Sequence, residues 1–375
     1  MTGQTILRAS GTYKELDDYL NGNGIRSFLL VCGGSIRDLK INACFKQLKE
    51  RTGIRFATFS HFQPNPLYES VQEGIRVFRE SGCRHIIAVG GGSAIDVAKC
   101  IKLYSSMQGD GRNGSFLHQK IVPNDVKLIA VPTTAGSGSE ATRYAVIYYG
   151  GEKQTVMHDS ILLDMVLLDS STLNTLPLYH KKSAMLDALC HSIESYWSAN
   201  STVQSRKYSA EAVRLILAHM DGCLANREAA NGYMLEAAHI AGKAINIAQT
   251  AAGHAMSYKL TGLYGIAHGH AAALCVRALW PWMLKNKDRC TDPRGAGYLD
   301  GMFLELAECF GSTQVAGGAE KFGHILDNLE LPEPEAERED YKILSRSVNQ
   351  TRLKNSPVKM REEDLAYVYR KILNL

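Results

Sequence analysis

The segment HIIAVGGGSAIDVAKCIKLYS, His85–Ser105, places three consecutive glycines between a short apolar run and a longer amphipathic run. The short run predicts a buried strand and the longer run predicts a helix, so the glycines form the turn between them. A strand followed by a helix is the repeating unit of α/β proteins, in which helices cover a mostly parallel sheet.

Segments of the same kind flank this unit on both sides. We predict strands over Ser27–Gly34 and Ile54–Ser60, a helix over Tyr68–Ser81, and a strand, a loop and a strand over Lys127–Tyr149. The alternation of strands and helices predicts an α/β domain over residues 1–177, with a mostly parallel sheet.

From about Leu178 the sequence predicts helices and no further strong strand. The predicted helical segments are Leu176–Ser198, Gln204–Leu224, Ala230–Leu260, His268–Leu284 and two more in the C-terminal tail. The run LNTLPL interrupts the pattern near Pro177, where we place the boundary of an all-α domain over residues 178–375.

The composition of the chain excludes several classes of function. A net charge of +4 is small for 375 residues, and no block of basic residues indicates a nucleic-acid surface. No apolar run is long enough to predict a membrane span. The nine cysteines are an odd number without a CxxC pair, which favours reduced thiols. The N-terminus lacks the pattern of a signal peptide, so we expect a cytoplasmic protein.

Two segments of the helical half, MLDALCHSIESYW at Met185–Trp197 and GHAMSYKLTGLYGIAHGHA at Gly253–Ala271, carry one carboxylate and three imidazoles. The first pair is four residues apart in a predicted helix, so both side chains lie on one face. Each histidine taken alone also fits a helix cap or a core position. Together the four can close a site for a borderline divalent metal. They are Asp187, His191, His254 and His268.

Two glycine-rich loops in the α/β half are candidates for binding phosphate. The turn Gly90–Gly92 lets backbone approach a phosphate at a helix N-terminus, which Ser93 can cap. The loop Pro132–Glu140 adds hydroxyls able to bond ribose or phosphate, from Thr133, Thr134 and Ser137. A plain tight turn and a solvated connection are the alternatives for the two loops. Two such loops in one α/β half favour a dinucleotide, although the GxGxxG fingerprint is absent.

Four motifs together resemble the iron-dependent, or group III, alcohol dehydrogenase family. They are GGGSAIDVAK, PTTAGSGSEAT, LDALCHSIESY and GHAM followed by GLYGIAHGHA, in the family's order and spacing. The resemblance extends from about Ile25 to the C-terminus. It implies an α/β N-terminal dinucleotide-binding domain and an all-α C-terminal domain, as in dehydroquinate synthase, with a cleft between them. It also implies a homo-oligomer.

The resemblance assigns roles by position. The residues Asp187, His191, His254 and His268 match the family's metal ligands, which hold Fe²⁺ and in some members Zn²⁺. The residues Gly90, Gly91, Gly92, Ser93, Asp96, Thr133 and Thr134 match its nucleotide site. The family usually carries an aspartate at the end of a strand where this chain has Gly33. Because a carboxylate there repels the extra phosphate of NADP, its absence favours NADPH over NADH.

Other departures from the family concern the substrate and the proton. Tyr258 replaces the histidine that can relay a proton in the family, and His270 is a second candidate for that role. Arg143 and Lys259 add cations where the family is commonly neutral, and a guanidinium holds an oxyanion in a bidentate manner. The stretches EATRYAVIYYGGEKQ, LDALCHSIESYWS and GKAINIAQTAAGHAMSYKLTGLYGIAHGHA are similar to the phosphonoacetaldehyde reductase branch. That resemblance implies a small anionic aldehyde as substrate, reduced to a primary alcohol, which would account for Arg143 and Lys259.

Three other functions remain open at this stage. The first is a generic alcohol, lactaldehyde or 1,3-propanediol dehydrogenase, which a panel of substrates distinguishes. The second is a dehydroquinate-synthase-like lyase, which uses NAD transiently and gives no net change in nicotinamide absorbance. The third is a binding protein that kept the fold without catalysis, which metal-dependent oxidation of NADPH excludes.

Overall fold

Six parallel strands form the central sheet of the α/β half in the computed structural model, which describes residues 3–375. The chain divides into two compact units, a first of residues 3–176 and 226–235, and a second of Pro177–Ala225 and Glu236–Leu375. The elements of the first unit, in chain order, are β1 (Thr5–Arg8), α1 (Lys14–Gly22), β2 (Ser27–Cys32), α2 (Lys40–Thr52), β3 (Arg55–Phe59), α3 (Tyr68–Glu80), β4 (His85–Gly90), α4 (Gly92–Ser105), β5 (Leu128–Pro132), β6 (Tyr144–Tyr149), β7 (Glu152–Met157) and β8 (Met165–Leu168).

The strand order in the sheet is β1-β8-β5-β4-β2-β3, and β6 and β7 form a separate antiparallel hairpin. The central strands β4 and β5 are continuous apolar runs, buried along almost their whole length, as expected for a sheet covered on both faces. The α/β prediction for the N-terminal half is therefore confirmed. The predicted strands and helix appear as β2, β3, α3, β5 and β6, within a residue or two of their expected ends.

The register of β4 and β5 brings the two glycine-rich loops to one edge of the sheet. Gly90 pairs with Pro132 at the ends of these strands, and the Gly90 carbonyl accepts a hydrogen bond of 3.1 Å from the Thr133 amide. In the neighbouring strand β2, Cys32 pairs with Val89, so Gly33 leaves the sheet at the same edge. The carboxyl ends of parallel strands are where α/β sheets commonly bind ligands.

The rest of the chain is helical, as predicted. Its helices are α5 (Leu178–Trp197), α6 (Val203–Leu224), α7 (Glu228–Ala248), α8 (Ala252–Tyr264), α9 (His268–Lys285), α10 (Ala296–Cys309), α11 (Gly317–Leu329), α12 (Asp340–Ser347) and α13 (Glu362–Ile372). The predicted helix Ala230–Leu260 is in fact two helices, because the backbone turns at Gln249, where φ is +59°. This break places His254 in the first turn of α8 rather than in the middle of a long helix.

Close approach of helices in the second unit depends on two glycines. A Cβ atom on Gly253, at the start of α8, would lie 2.7 Å from a carboxylate oxygen of Glu194 on α5. A Cβ atom on Gly269, at the start of α9, would lie 2.0 Å from the Ser183 carbonyl oxygen, also on α5. Both helices therefore begin in van der Waals contact with α5, where Asp187 and His191 lie. Within the described residues, no helix combines the length and apolar character that crossing a bilayer requires.

Candidate metal centre and nucleotide-binding loops

Four predicted ligands converge in the second unit around one carboxylate oxygen, Oδ1 of Asp187. The Nε2 atom of His191, one turn further along α5, lies 3.9 Å from this oxygen. The Nε2 atom of His254 lies 3.5 Å from it and that of His268 lies 4.0 Å from it. One ligand atom from each of Asp187, His254 and His268 lies within 4.8 Å of the others, which is the separation expected of ligands around a single ion.

The three imidazoles are held in fixed mutual orientations. The rings of His191 and His254 stack with centroids 4.4 Å apart and an angle of 13° between their planes. The ring of His268 meets His254 edge-on, at 5.4 Å. Asp187, His191 and His254 are buried, whereas the His268 side chain is 37% exposed. The site is therefore enclosed on the side of α5 and α8 and open at His268.

Two atoms of this cluster lack the hydrogen bonds that buried polar groups normally make. Among the described residues, neither Asp187 Oδ1 nor His254 Nε2 has a hydrogen-bond partner, although both atoms are buried. Buried polar atoms without partners are uncommon in native proteins. A divalent cation between them would bind both, and a set of one carboxylate and three imidazoles suits Fe²⁺ or Zn²⁺. The residues present therefore fit a metal.

The charges within the cluster also fit a cation site. Burial alone raises the pKa of Asp187, but the three imidazoles around its carboxylate, His191 foremost, lower that pKa well below its ordinary value. Asp187 is therefore a carboxylate across the physiological range, as a metal ligand must be.

Glu194 supports the cluster and was not predicted from the sequence. Its side chain is fully buried on α5 and accepts hydrogen bonds from the backbone amides of Gly253, at 2.5 Å, and His254, at 3.1 Å. It also accepts a short hydrogen bond from Nδ1 of His254. Because Glu194 holds the Nδ1 proton, Nε2 is the nitrogen that a metal in the ligand cluster would bind, as in other carboxylate–histidine–metal arrangements.

The carboxylates around His254 also shift its pKa. Burial lowers the pKa of His254, but the carboxylates of Glu194 and Asp187 outweigh it and raise that pKa to about 9. A signal for Glu194 was present in the sequence. Asp187, His191 and Glu194 are spaced i, i+4 and i+7, which places all three on one face of α5.

His270 is buried in the first turn of α9 and contacts two residues of α5. Its backbone amide donates to the Ser183 hydroxyl at 3.0 Å, and its Nδ1 lies 3.3 Å from the Tyr179 hydroxyl oxygen. The same Tyr179 oxygen accepts from the amide of Ala267, the N-cap residue of α9, at 2.8 Å. Burial lowers the pKa of His270 to about 4, so its imidazole is neutral at pH 7. These contacts orient His268, the first residue of α9.

Tyr258 lies on the open side of the cluster. Its ring is parallel to that of His268, with centroids 5.4 Å apart and an angle of 5° between the planes. Its hydroxyl accepts a hydrogen bond of 3.1 Å from the Arg352 guanidinium, which also lies over the ring. Arg352 was not predicted from the sequence, because it is 94 residues away along the chain.

The two predicted substrate cations occupy different parts of the chain. Lys259 lies on the second unit with an exposed side chain on α8. Arg143 belongs to the first unit and pairs with Asp159, with 3.1 Å between its Nη1 and the carboxylate oxygen.

In the first unit, the two glycine-rich loops interlock beside the start of α4. A Cβ atom on Gly91 would lie 3.1 Å from the Thr134 hydroxyl oxygen, and one on Gly92 would lie 2.9 Å from the Ser137 hydroxyl oxygen. The structure therefore brings these predicted cofactor residues together at one sheet edge. The prediction that Ser93 caps α4 is wrong. The helix begins two residues earlier, with Gly91 as N-cap, so Ser93 lies within the first turn.

Asp96 and Lys99 hold the second loop in place from α4. Asp96 accepts hydrogen bonds from the Ser139 hydroxyl at 2.5 Å and the Val146 amide at 2.9 Å. Lys99, fully buried, donates to the carbonyl oxygens of Ser139, Thr142 and Tyr144 at 2.6 to 2.7 Å. Both Asp96 carboxylate oxygens thus bond the protein itself, which fixes the loop that carries Thr133, Thr134 and Ser137.

Gly33 follows β2 in an extended conformation, with φ of −83°. A Cβ atom built on it meets nothing within 4 Å. Space is therefore available there for a larger side chain, and the lack of a carboxylate is a property of the sequence rather than a consequence of packing.

Comparison with known families covers nearly the whole chain. The sequence model of the family described as iron-containing alcohol dehydrogenase matches residues 3–170. The model described as the C-terminal part of the Fe-containing alcohol dehydrogenase family matches residues 182–373.

Individual relatives include reductases and dehydrogenases of small molecules. The 1,3-propanediol dehydrogenase of Klebsiella pneumoniae is 32% identical, over 67% of this chain and 66% of its own. The phosphonoacetaldehyde reductase of Streptomyces viridochromogenes is 32% identical, over 60% of each chain. Among solved structures, sulfoacetaldehyde reductase from Bifidobacterium kashiwanohense in complex with NAD⁺ superimposes with a TM-score of 0.86. It is 25% identical, and the match covers 98% of this chain and 96% of that chain.

Proposed function

The chain belongs to the iron-containing alcohol dehydrogenase family, and on this premise we propose that it reduces a small anionic aldehyde to a primary alcohol with NAD(P)H. As a family member it is a nicotinamide- and metal-dependent oxidoreductase. Phosphonoacetaldehyde, reduced to 2-hydroxyethylphosphonate, is the substrate we assign. The balanced reaction adds one hydride to the carbonyl carbon and one proton to the oxygen.

The convergence of four ligand atoms in the second unit carries this proposal. Asp187, His191, His254 and His268 would hold a divalent ion, Fe²⁺ or Zn²⁺, through the atoms that surround Asp187 Oδ1. When bound, such an ion supplies Lewis-acid stabilisation of negative charge on the carbonyl oxygen, and the nicotinamide supplies the hydride.

The protein's own groups prepare this chemistry in three ways. Glu194 holds His254 in the tautomer that presents Nε2 to the ligand cluster. Tyr179 and Ser183 fix the start of α9 and so orient His268. The hydroxyl of Tyr258, whose ring is parallel to that of His268, can pass a proton between solvent and the reacting oxygen. We favour Tyr258 over His270 for this step, because His270 is buried and its contacts hold the backbone of α9.

Support for an anionic substrate comes from the relatives. Two of these relatives are named for phosphonoacetaldehyde and sulfoacetaldehyde. Both compounds are two-carbon aldehydes with a negatively charged head. Arg143 and Lys259 are cations that the family commonly lacks, and we keep both as candidates to contact the charged head or the cofactor phosphates.

The nicotinamide cofactor binds, in this proposal, at the loops Gly90–Ser93 and Thr133–Ser137 of the first unit. The backbone amides at the start of α4 suit a pyrophosphate. Gly33 carries no carboxylate to repel a 2′-phosphate, so we propose that NADPH is used at least as well as NADH. Steady-state kinetics with both cofactors tests this, and a strong preference for NADH would contradict it.

A panel of aldehydes tests the substrate. We expect kcat/KM for phosphonoacetaldehyde to exceed that for propanal by about tenfold or more, because charge-assisted hydrogen bonds to the head contribute to binding. Sulfoacetaldehyde, included as a monoanion, separates recognition of a phosphonate from recognition of any anion. An equal kcat/KM for propanal or butanal would show that the proposal of an anionic substrate is wrong.

A second candidate is a generic dehydrogenase of uncharged alcohols. The similarity to 1,3-propanediol dehydrogenase, at the same 32% identity over a longer stretch, favours it. The same panel decides between the two, with 3-hydroxypropanal added as the uncharged substrate.

A further inference from the structure

Arg352 places a guanidinium one aromatic ring away from a metal ligand. It lies in the turn Gln350–Asn355, where its Nη1 atom donates to the Tyr258 hydroxyl at 3.1 Å. Its guanidinium carbon is 4.9 Å from the centroid of the Tyr258 ring. The same ring is parallel to the ring of His268, with centroids 5.4 Å apart. The Tyr258 ring thus contacts both a positive charge and a candidate metal ligand.

We propose that Arg352 binds the anionic head of the aldehyde and so sets the preference for negatively charged over neutral substrates. This assignment rests on the proposed function. In phosphonoacetaldehyde a single methylene separates the carbonyl carbon from phosphorus. The cation that binds the head must therefore lie close to the ligands that surround the reacting carbonyl. Arg352 meets this condition through its contact with Tyr258.

The chemistry of the group fits a phosphonate. A guanidinium is planar, stays charged at any physiological pH, and offers N–H donors in a fork that matches two oxygens of one anion. One of these donors bonds Tyr258, which fixes the plane of the guanidinium over the ring. Lys259, on the same helix as Tyr258, has an exposed side chain.

The turn that carries Arg352 is anchored to the start of α8. The Asn355 side chain donates to the Gln249 side chain at 3.0 Å and to the Thr250 carbonyl at 3.2 Å. The Asn355 carbonyl accepts from the Ala199 amide at 2.9 Å. At its other end the turn is capped by Asn349, which accepts from the Thr351 amide at 2.9 Å. Arg352 therefore projects from a turn that is fixed relative to His254, which preorganises the anion site.

Binding of ethylphosphonate to the metal-loaded enzyme tests the assignment without turnover. This ligand has the charged head of the substrate and no aldehyde. By isothermal titration calorimetry we expect Arg352→Ala to raise the Kd for ethylphosphonate by about 10- to 100-fold, the loss typical of hydrogen bonds to a charged group. Arg352→Lys, which keeps the charge and loses the fork, should recover part of this affinity. The matched control is Arg346→Ala, since Arg346 is a 73% exposed arginine of the same unit.

A second variant separates direct binding from an effect through the tyrosine. Tyr258→Phe keeps the ring on His268 and removes the hydroxyl that Arg352 bonds. If Arg352 contacts the anion itself, Tyr258→Phe should change the Kd for ethylphosphonate by less than about fivefold. If Tyr258→Phe reproduces the full loss seen in Arg352→Ala, Arg352 acts through Tyr258 and is not the anion-binding residue.

Kinetics of the same variants distinguish this inference from the proposed function. The ratio of kcat/KM for phosphonoacetaldehyde to that for propanal should fall by about 10- to 100-fold in Arg352→Ala. If wild type prefers phosphonoacetaldehyde and Arg352→Ala keeps that preference, Arg352 does not bind the anionic head. The proposed substrate is then still supported. If ethylphosphonate binding depends on Arg352 but wild type does not prefer the anionic aldehyde, the proposed substrate is wrong. The anion-binding role of Arg352 is then still supported. A wild-type enzyme that binds no ethylphosphonate overturns the Arg352 assignment.

Discussion

A single carboxylate, Glu194, links the backbone and the side chain of His254. It accepts from the Gly253 and His254 amides and from the His254 ring, so the first turn of α8 and the orientation of the imidazole are set together. The two amides are among those that a helix N-terminus leaves without intrahelical partners, and a carboxylate there is also favoured by the helix dipole. Glu194 therefore contributes to both the fold and the candidate metal site.

Glu194→Gln is predicted to weaken metal binding while the protein still folds. The amide keeps the shape of the side chain but loses the charge that holds Nδ1–H of His254. We expect the metal Kd to rise by about 10- to 100-fold, the usual effect of removing a hydrogen-bond partner from a metal-bound histidine. A chelator-competition titration measures this, with Glu363→Gln, at a 73% exposed position, as control. Equal metal affinity in Glu194→Gln and wild type would show that Glu194 has no role in binding.

At the scale of elements, the candidate metal ligands come together because α5, α8 and α9 approach one another closely. Gly269 is the tightest of these contacts, since a Cβ atom there would lie 2.0 Å from the Ser183 carbonyl and 2.7 Å from the Asp187 Cβ. Backbone atoms cannot rotate away as a side chain can, so a methyl group at this position must push α9 off α5.

Gly269→Ala is predicted to destabilise the protein by about 2 kcal/mol or more, because overpacking a close helix contact displaces backbone. Chemical denaturation with circular dichroism measures the free energy of unfolding. The matched control is Gly262→Ala, on the exposed face of α8, where a Cβ atom meets nothing within 4 Å. There, the higher helix propensity of alanine should stabilise the protein by up to about 1 kcal/mol. Similar effects of the two substitutions would contradict the close contact.

The start of α13 depends on Asp364. Its carboxylate accepts two hydrogen bonds from the Arg289 guanidinium and one of 2.7 Å from the Arg361 amide. Partial burial raises the pKa of Asp364, but the Arg289 and Arg361 bonds outweigh it and lower the pKa below its ordinary value. Since the folded pKa is depressed, the stabilisation is present above the ordinary pKa of an aspartate and is lost as the pH falls through the folded value.

Asp364→Asn is predicted to lower the free energy of unfolding at pH 7 by about 1 to 3 kcal/mol, the range for hydrogen bonds to a charged group. The difference from wild type should shrink below about pH 4, where the wild-type carboxyl becomes protonated in the unfolded chain. Asp327→Asn removes an exposed pair with Arg277 and should have an effect below about 1 kcal/mol. A pH-independent difference for Asp364→Asn would rule out the charge as its cause.

For the whole molecule, local spacing in the sequence was enough to predict much of the architecture and the cluster of four candidate ligands. Asp187 and His191 are four residues apart, and the glycine turn of β4 and α4 is continuous in sequence, so both follow from helix and strand geometry. The α/β and all-α halves follow from the same periodicities. These are the features for which neighbours in sequence are neighbours in space.

The features that were missed depend on tertiary contact or on weak apolar patterns. Arg352 and Tyr258 are far apart in sequence, and no local pattern indicates that they touch. The strand β7 was missed because EKQTVM is largely polar and is held by its pairing with β6. The break between α7 and α8 depends on a left-handed residue, Gln249, which no glycine or proline marks. This contact, this strand and this helix break are determined by tertiary structure, and the periodicity of the sequence does not indicate them.

The central claim is that four side chains of the helical unit bind one divalent metal, and elemental analysis of purified protein tests it most directly. Wild-type protein from cultures supplied with iron and zinc should retain about one ion per chain. His254→Ala should retain almost none, because it removes a buried ligand and the partner of Glu194. His324→Ala, at an exposed position on α11, should keep the wild-type content. Full metal occupancy in folded His254→Ala would contradict the ligand assignment, and with it the site from which the function is inferred.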